Sequence, residues 1–386
     1  MIESISITNF KCFESLRLPL ANLNVLAGVN GVGKSTVIQA LLLLRQLYTS
    51  GEYYHGQVSL LGDLIDLGRG TDILYDEAKH DVITIALTGP ELGEMSFQFQ
   101  VDVETGSVSL MTVERVVEFF QQLDYAQLPL FSGGSFSPFA VGAFNYLNAE
   151  RFGPRKTLPV RSGRGNVFDL GSHGEYVFDA LSQHQDGIII STDDPRYITT
   201  AAGERLRDQV EAWLSEISPG VQLRITSISN ADIAIGTYNF GREGALRSPD
   251  YRPTNVGFGL SYILPVLAAL LGAAKGGLVL IENPEAHLHP RGQTRMGELC
   301  ARAAAAGVQV VIETHSDHVL DGARIAVKEG IMSREAVGFH YFFREQGRSD
   351  RTSPEIDASG RLSEWPEGFF DQHRRNAARL ARSRTV

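Results

Sequence analysis

Gly28-Val-Asn-Gly-Val-Gly-Lys-Ser35 is the stretch that decides the fold. It satisfies the P-loop pattern, and it lies between a predicted strand, Leu23 to Ala27, and a predicted apolar helix, Ser35 to Leu47. Glycines here let backbone N–H groups close around phosphates, and the N-terminus of the helix adds positive potential. The stretch therefore predicts phosphate binding, and the alternative is a turn with a purely structural role.

The residue types of the P-loop have separate expected tasks. Lys34 would reach the β- and γ-phosphates, and Ser35 would ligate Mg²⁺ with Thr36 beside it. The expected cofactors are therefore ATP and Mg²⁺. The residues predicted to contact the nucleotide in this stretch are Asn30, Gly31, Gly33, Lys34, Ser35 and Thr36.

An acid ends a second apolar strand, in the run Gly277-Leu-Val-Leu-Ile-Glu282. A carboxylate at the C-terminal tip of the strand beside the P-loop strand is in place to hold the metal. We predict Glu282 as this metal ligand, in the position called Walker B. The alternative is an acid that only terminates a strand.

Three stretches together resemble the RecF/SMC/ABC-like ATPases, which include many bacterial defence ATPases. They are the P-loop, the run Glu282-Asn-Pro-Glu-Ala-His-Leu-His-Pro290, and the run Glu313-Thr-His-Ser-Asp317. The resemblance covers both halves of the nucleotide domain. Two less specific stretches, 146–154 and 368–372, resemble the coil-less defence-associated branch that includes the Septu-type ATPase.

The resemblance implies catalytic roles and one departure. In the family a catalytic Glu follows the Walker B acid, and Asn283 stands at that position here. Asn accepts no proton at neutral pH, so either hydrolysis is slow, or Glu285 or another group is the base. His315 matches the switch histidine that contacts the γ-phosphate, and the alternative for an isolated His is a buried core residue.

The segment Asn255-Val-Gly257-Phe-Gly259-Leu-Ser261 precedes an apolar helix and resembles the ABC signature motif in position, without its leading Ser. Glycines at a helix N-terminus can approach a γ-phosphate offered by another subunit. We therefore predict a homodimer or higher homo-oligomer in which these residues complete the partner's site. The alternative is an ordinary helix cap, which predicts a nucleotide-binding monomer. The residues predicted to act in this way are Asn255, Gly257, Gly259 and Ser261.

His287 and His289 have the spacing of an HxH metal pair. The resemblance instead implies that they lie in the dimer-contact loop after Walker B. Cys12 and Cys300 make neither a disulfide framework nor a metal site.

The order of strand and helix patterns predicts an α/β fold, the ABC/SMC-head-type P-loop NTPase with an inserted antiparallel β-sheet and a helical subdomain. Period-two runs between Val82 and Val113 give the antiparallel sheet, and Gln122 to Gly142 is predicted as a loop or mobile insertion. The predicted parts are 1–48 (N-terminal half of the ATPase core), 49–145 (β arm and insertion), 146–250 (middle helical and β subdomain), 251–345 (C-terminal half of the core) and 346–386 (tail).

Composition limits the partners. The net charge of −10 argues against indiscriminate DNA binding, because non-specific affinity comes largely from Lys and Arg. Basic residues in 151–164 and 374–384 keep nucleic acid as a partner class beside the simpler interpretation of solvated arginines. The apolar run Ile263 to Ala274 is too short for a membrane span, and the N-terminus lacks a signal pattern, so we expect a cytoplasmic protein and no membrane partner.

The expected function is an ATPase whose nucleotide state switches a dimer, controlling an effector protein in trans or gripping nucleic acid, in anti-phage defence. A nuclease is the natural effector, because the sequence shows no nuclease constellation of its own, and this step follows from the resemblance. Two alternatives stay open. One is a RecF-like DNA-repair or DNA-clamping ATPase, and the other is a structural subunit that holds ATP without hydrolysing it, a role that Asn283 favours.

Overall fold

A computed structural model describes residues 1–50, 56–90, 92–116, 138–140, 142–161, 167–241, 248–370 and 372–381. The insertion predicted at 122–142 lies outside these residues except for 138–140 and 142, as do Arg164, Arg382 and Arg384 of the basic stretches. The described strands are β1 Ser4–Phe10, β2 Phe13–Pro19, β3 Leu23–Gly28, β4 Val82–Gly89, β5 Gly93–Val101, β6 Val108–Val116, β7 Phe144–Leu147, β8 Leu158–Pro159, β9 Val221–Ile228, β10 Ile233–Phe240, β11 Leu278–Glu282, β12 Gln309–Glu313, β13 Val337–Glu345 and β14 Arg348–Thr352. The described α-helices are α1 Lys34–Ser50, α2 Gly70–Ile73, α3 Val177–His184, α4 Leu206–Ile217, α5 Phe258–Gly272, α6 Pro290–Ala305, α7 Asp317–Lys328 and α8 Gln372–Ala381.

A six-stranded sheet in the order β14-β13-β3-β12-β11-β7 forms the centre of the predicted ATPase core. All of its strands pair in parallel except β14, which pairs antiparallel with β13 at one edge. Alternate residues of β11 enter different cores: Val279 and Ile281 pack with α5 and α6, whereas Leu278 and Leu280 pack with α1. This burial on both faces explains why the strand is continuously apolar.

The strand order corrects one prediction. β12 lies between the P-loop strand β3 and β11, so the prediction that the strand of Glu282 is the direct neighbour of the P-loop strand is wrong. A pattern of apolar runs gives strands but no pairing partners, because pairing is a long-range contact. The acid at the tip of the neighbouring strand is Glu313.

A five-stranded antiparallel sheet in the order β2-β1-β4-β5-β6 packs against α1. Residues along β4 alternate between buried and half-buried, as expected of a strand with one face on a core. β1 and β2 precede the P-loop, so the sheet combines strands from both sides of the predicted boundary at 48/49. The three strands predicted ahead of the P-loop therefore divide between two sheets.

The middle segment forms a three-stranded sheet, β8-β10-β9, together with α3 and α4. Trp213 of α4 and Tyr238 of β10 are fully buried in the same core as Leu264 of α5. The middle segment thus supports the helix that the signature-like residues precede. In the described part of the chain, no helix is both long enough and apolar enough to cross a bilayer.

Candidate functional site

The P-loop backbone has the tight conformation that its glycines allow. Gly28, Gly31 and Gly33 have φ angles of +147°, +76° and +106°, which L side chains rarely adopt. A Cβ on Gly28 would lie 2.3 Å from the carbonyl oxygen of Phe342, and one on Gly33 would lie 2.4 Å from the Phe13 ring. A Cβ on Gly31 would meet none of the described residues within 4 Å, so the loop is open on that side.

The first residues of α1 bring a cation and a hydroxyl to one place. The Lys34 ammonium donates to the carbonyl oxygens of Gly28 and Val29 at 3.1 and 2.8 Å, so the lysine folds back over its own loop. Its side chain is 3% exposed, and burial lowers the pKa of Lys34 although the nearby Glu313 carboxylate opposes that shift. Both groups lie where the helix N-terminus favours an anion.

Glu313, which the sequence reasoning did not single out, contacts both P-loop side chains. Its Oε2 accepts a hydrogen bond from the Ser35 hydroxyl at 2.7 Å, and its Oε1 lies 3.6 Å from the Lys34 ammonium. Glu313 is buried, at 7% exposure. One signal could have found it: β12, like β11, is an apolar strand that ends in an acid.

Two other predicted nucleotide contacts differ in their surroundings. Asn30 is exposed at the tip of the P-loop, beside Val29, which is 56% exposed. Thr36 is buried, and its hydroxyl lies 3.7 Å from the Cys12 sulfur, so it faces the β1–β2 turn. Asn30 is accessible to a ligand, whereas the Thr36 side chain is not directed at the loop opening.

The Glu282 carboxylate has a different partner from Glu313. Its Oε1 accepts a hydrogen bond from the Tyr146 hydroxyl at 2.9 Å. Burial raises the pKa of Glu282, the Tyr146 hydrogen bond opposes the shift, and the Glu313 charge adds to it. Of the two acids at the strand tips, Glu313 is therefore the one that is hydrogen-bonded to Ser35, the predicted metal ligand.

Glu285 lies beside His315, and it contacts the backbone N–H of His315, not the imidazole ring. Glu285 accepts from the Thr314 hydroxyl and from the backbone N–H of His315, both at 2.8 Å. The His315 side chain is exposed, which excludes the alternative of a buried core histidine. Glu285 thus fixes the turn that presents the His315 ring to solvent.

Asn283 has a left-handed backbone, with φ at +46°. Its N–H donates to the Glu313 carbonyl at 2.8 Å, whereas its side-chain Oδ1 is buried with no hydrogen-bond partner among the described residues. A buried acceptor without a donor is uncommon and often marks a site whose partner is a ligand or water. The position at which the resemblance implies a catalytic Glu therefore holds an acceptor that cannot take a proton.

Arg151 supports the backbone of residues 282 and 283, although the sequence pattern placed it only in a basic stretch. It is 2% exposed, and its guanidinium donates to the carbonyls of Glu282 and Asn283 at 2.6 and 2.7 Å. It also donates to the Tyr262 carbonyl at 3.2 Å and lies over the Tyr262 ring. Arg151 therefore ties the acidic strand tip to α5, and the interpretation of a solvated arginine is wrong for this residue.

The signature-like residues lie around the start of α5. Gly257 is the N-cap residue, and a Cβ there would meet none of the described residues within 4 Å. Gly259 packs closely on the His287 carbonyl oxygen, which a Cβ would approach to 2.8 Å. Asn255 is exposed at the end of a short 3₁₀ turn, and the first side chain of the helix, Phe258, is 58% exposed.

Ser261 differs from the other signature-like residues. Its hydroxyl oxygen is buried and lies beside the hydroxyl of Tyr238, inside the middle segment. Ser261 is the fourth residue of α5, and its contact with a nucleotide stays a prediction that its buried hydroxyl does not favour. Asn255, Gly257 and Gly259 remain the predicted contacts.

The two histidines after Walker B have different surroundings. The His287 ring lies 4.4 Å from the Tyr262 ring, and His289 caps α6 through its Nδ1. The described residues hold no group of three or more His, Cys, Asp or Glu side chains that could bind a metal.

Family comparisons match both halves of the nucleotide domain. The family described as "AAA ATPase domain" matches residues 1–88. The family described as "AAA domain, putative AbiEii toxin, Type IV TA system" matches residues 177–321, and a family of unknown function matches residues 332–380. The matches thus include the P-loop and both acidic strand tips.

Solved structures share the fold. The SmcHead bound to the C-winged helix domain of ScpA is 14% identical with a TM-score of 0.53, over 92% of this chain and 98% of that chain. The Smc head domain with an extended coiled coil, bound to the C-terminal domain of ScpA derived from Pyrococcus furiosus, is 12% identical with a TM-score of 0.51, over 99% of each chain. The prediction of an ABC/SMC-head-type α/β fold is confirmed.

Two family models of AAA type thus match separate parts of the chain, and its fold is similar to that of SMC head domains. A curated relative, the OLD nuclease of Thermus scotoductus, is 22% identical over 338 residues, which cover 82% of this chain. The chain spans 59% of the length of that relative.

Proposed function

We propose that the chain binds ATP with Mg²⁺ at the P-loop and hydrolyses it slowly, as a switch that dimerises on ATP. The observation that carries this proposal is the convergence of the Lys34 ammonium and the Ser35 hydroxyl on one buried carboxylate at the start of α1. A bound Mg²⁺ would neutralise charge on the transferred phosphate. Ser35 and an acidic strand tip would hold it, and Lys34 would bind the phosphate oxygens.

Slow hydrolysis follows from the acceptors available to the attacking water. Asn283 can orient a water through Oδ1 but cannot take its proton. Glu285 is a nearby carboxylate that could take the proton, but hydrogen bonds from the Thr314 hydroxyl and the His315 N–H fix its orientation toward the turn. An Asn at this position also favours the second candidate, a subunit that holds ATP without hydrolysing it, because an amide cannot act as a base.

Dimerisation is supported by the accessibility of the start of α5. Gly257 is open, and Phe258 and Val29 are large apolar residues exposed at 58% and 56%. A second subunit that placed its P-loop over Gly257 would bury such residues and complete the γ-phosphate contacts. Each subunit would then supply half of each site.

The finer parts of the proposal concern location and partners. The dimer would act in the cytoplasm and control an effector in trans, with a nuclease as first candidate, because the 22% identical relative carries that name. Resemblance to the Septu-type branch supports a role in anti-phage defence. Nucleic acid stays a candidate partner through the exposed Arg375 and Arg379 of α8. That surface also keeps the RecF-like DNA-clamping alternative.

Phosphate release from ATP tests the enzymatic part. We expect slow release by wild type, a further loss of about tenfold in Glu285→Gln from the missing acceptor, and none above background in Lys34→Ala. A wild type no faster than Lys34→Ala, in a preparation that still binds ATP, would leave the non-hydrolysing subunit as the better description.

A further inference from the structure

A small polar pocket lies between the start of α5 and the middle segment. The Tyr238 side chain of β10 is fully buried, and neither its hydroxyl nor the buried hydroxyl of Ser261 has a hydrogen-bond partner among the described residues. Both side chains line one cavity of about 10 Å³, together with Pro265 of α5. Buried hydroxyls without partners are uncommon, so the pair indicates that a further polar group completes the pocket.

The sequence of α5 adds a third polar group. In an α-helix the carbonyl of each residue accepts from the N–H four residues later, and proline has no N–H. Pro265 lies inside α5, four residues after Ser261, so the Ser261 carbonyl lacks this donor. Because Ser261 and Pro265 both line the cavity, this carbonyl lies on the helix face that borders it.

The size of the cavity decides what can fill it. A volume of about 10 Å³ is the room of one water molecule, and a buried water makes about three hydrogen bonds. Two hydroxyls and one carbonyl offer that number. We infer that the pocket binds a single water, and that Tyr238 acts through this water as a positioning residue for the start of α5. The positioning role rests on the proposed ATP-dependent dimer.

The chemistry of the Tyr238 hydroxyl fits this task. Burial raises its pKa, and the nearby Ser261 hydroxyl opposes the shift. The phenol therefore keeps its proton and can donate to a water. The remaining walls of the cavity include apolar side chains of α3 and β8, which offer the hydroxyl no acceptor: Val177, Phe178 and Leu158.

Tyr238 also holds the other end of the signature-like segment, through its backbone. Its N–H donates to the Tyr251 carbonyl at 2.8 Å, and the Tyr251 N–H donates to the Tyr238 carbonyl at 2.7 Å. The other three signature-like residues lie between Tyr251 and Ser261. One residue of the middle segment is thus placed at both ends of the stretch that would contact a second subunit.

The two anchors can be separated by mutation. Tyr238→Phe leaves the backbone bridge to Tyr251 in place and removes only the hydroxyl. The start of α5 can then shift, and a dimer must fix it again at both of its composite sites. The loss should therefore appear in dimerisation and not in the binding of ATP at the P-loop of the same chain.

Light scattering with ATP and Mg²⁺ tests the positioning role. We expect Tyr238→Phe to weaken the dimer by about fivefold at each of two α5 starts, or about 30-fold in total, as for one hydrogen bond of about 1 kcal/mol at each. ATP affinity by calorimetry should stay within about threefold of wild type. The control, Tyr197→Phe, makes the same change at a half-buried tyrosine outside the cavity and should dimerise as wild type does.

Ser261→Ala distinguishes a shared water from a direct contact between Ser261 and a nucleotide. Groups that act through one water are not additive, so the double variant with Tyr238→Phe should dimerise within about threefold of either single variant. Effects that multiply would contradict the shared water. Urea unfolding gives the readout of a purely structural role: lower stability of Tyr238→Phe with an unchanged dimer would overturn the positioning role.

A high-resolution crystal structure observes the water directly. We expect one ordered water within hydrogen-bond distance of both hydroxyls in wild type, and none at that place in Tyr238→Phe. A dry pocket, or two hydroxyls bonded directly to each other, would overturn the inference. A wild type that never dimerises with ATP would overturn the proposed dimer and the positioning role with it, whereas the crystal structure would still decide the water.

Discussion

The two glycine-rich turns of the molecule differ in what surrounds them. The P-loop is closed from within: Lys34 and Ser35 contact Glu313 of the same chain, and Gly28 and Gly33 pack on Phe342 and Phe13. The start of α5 is open: a Cβ on Gly257 would have no described neighbour within 4 Å, and Phe258 is exposed. The P-loop has its contacts inside the chain, whereas the start of α5 has a backbone open to the proposed second subunit.

The largest expected effect is a loss of ATP affinity on a change in the P-loop. Lys34→Ala removes a cation that would contact two phosphates, at about 1.5–3 kcal/mol for a charged hydrogen bond, so ATP affinity should fall by about 100-fold. Calorimetry with ATP and Mg²⁺ measures it. Lys79→Ala, at an exposed lysine, is the control and should bind as wild type does. Unchanged binding in Lys34→Ala would place the nucleotide elsewhere.

The next effect is on ATP-dependent dimerisation, and it distinguishes the start of α5 from the P-loop. Gly257→Asp puts a negative charge at a position with free space and an ordinary φ of −60°, so the monomer should fold and bind ATP as before. A partner's γ-phosphate would meet this charge, at a cost of about 2.5 kcal/mol for juxtaposed like charges, so the ATP-dependent dimer should weaken by about 50- to 100-fold. Light scattering with ATP measures the dimer, and Gly187→Asp, at an exposed glycine, is the matched control. An unaffected dimer would show that α5 takes no part in it.

A smaller effect concerns Arg151, whose side chain joins the tip of β11 to α5. Arg151→Lys keeps the charge but loses the fork that reaches the carbonyls of Glu282 and Asn283, so the free energy of unfolding should fall by about 2 kcal/mol. Urea unfolding measures it. Arg155→Lys, at an exposed neighbour, should change it by less than about 0.5 kcal/mol. Equal effects in the two variants would show that the buried fork is not important for stability.

The smallest effect lies on β13, which supports the P-loop strand. Burial lowers the pKa of His340 from its ordinary value of 6.5 to about 3, so between these values the unfolded chain binds a proton that the folded chain does not. Stability should therefore fall as the pH falls below about 6.5, by about 1 kcal/mol between about pH 7 and 5.5 from this residue. Urea unfolding of wild type and His340→Gln at both pH values isolates the contribution, with exposed His80→Gln as control. An identical pH slope in His340→Gln would contradict it.

Most of the P-loop can be predicted from the sequence because the motif is local. Its strand, its glycines and the start of its helix follow each other within a few residues, and the conformation that glycine permits is a property of those residues. The fold class is predictable for a similar reason, since apolar strands alternating with helices indicate a parallel sheet.

Strand partners and side-chain directions are not predictable in this way. The membership of β1 in the antiparallel sheet and the position of β12 between β3 and β11 depend on pairing between residues far apart in sequence. The burial of the Ser261 hydroxyl beside Tyr238 depends on how α5 packs on the middle segment, which the sequence pattern does not give. Glu313 ends an apolar strand as Glu282 does, but its contact with Ser35 joins residues 278 positions apart and cannot be predicted from the strand pattern.

Mixing two variants that do not dimerise tests most directly whether the start of α5 in one subunit completes the P-loop site of another. Lys34→Ala has an intact Gly257, and Gly257→Asp has an intact P-loop. In a mixed dimer one composite site is whole and the other carries both lesions. Composite sites predict that the mixture regains ATP-dependent dimers by light scattering, whereas neither variant forms them alone. A mixture that stays at the sum of the two separate samples would contradict composite sites and leave a monomer that binds ATP by itself.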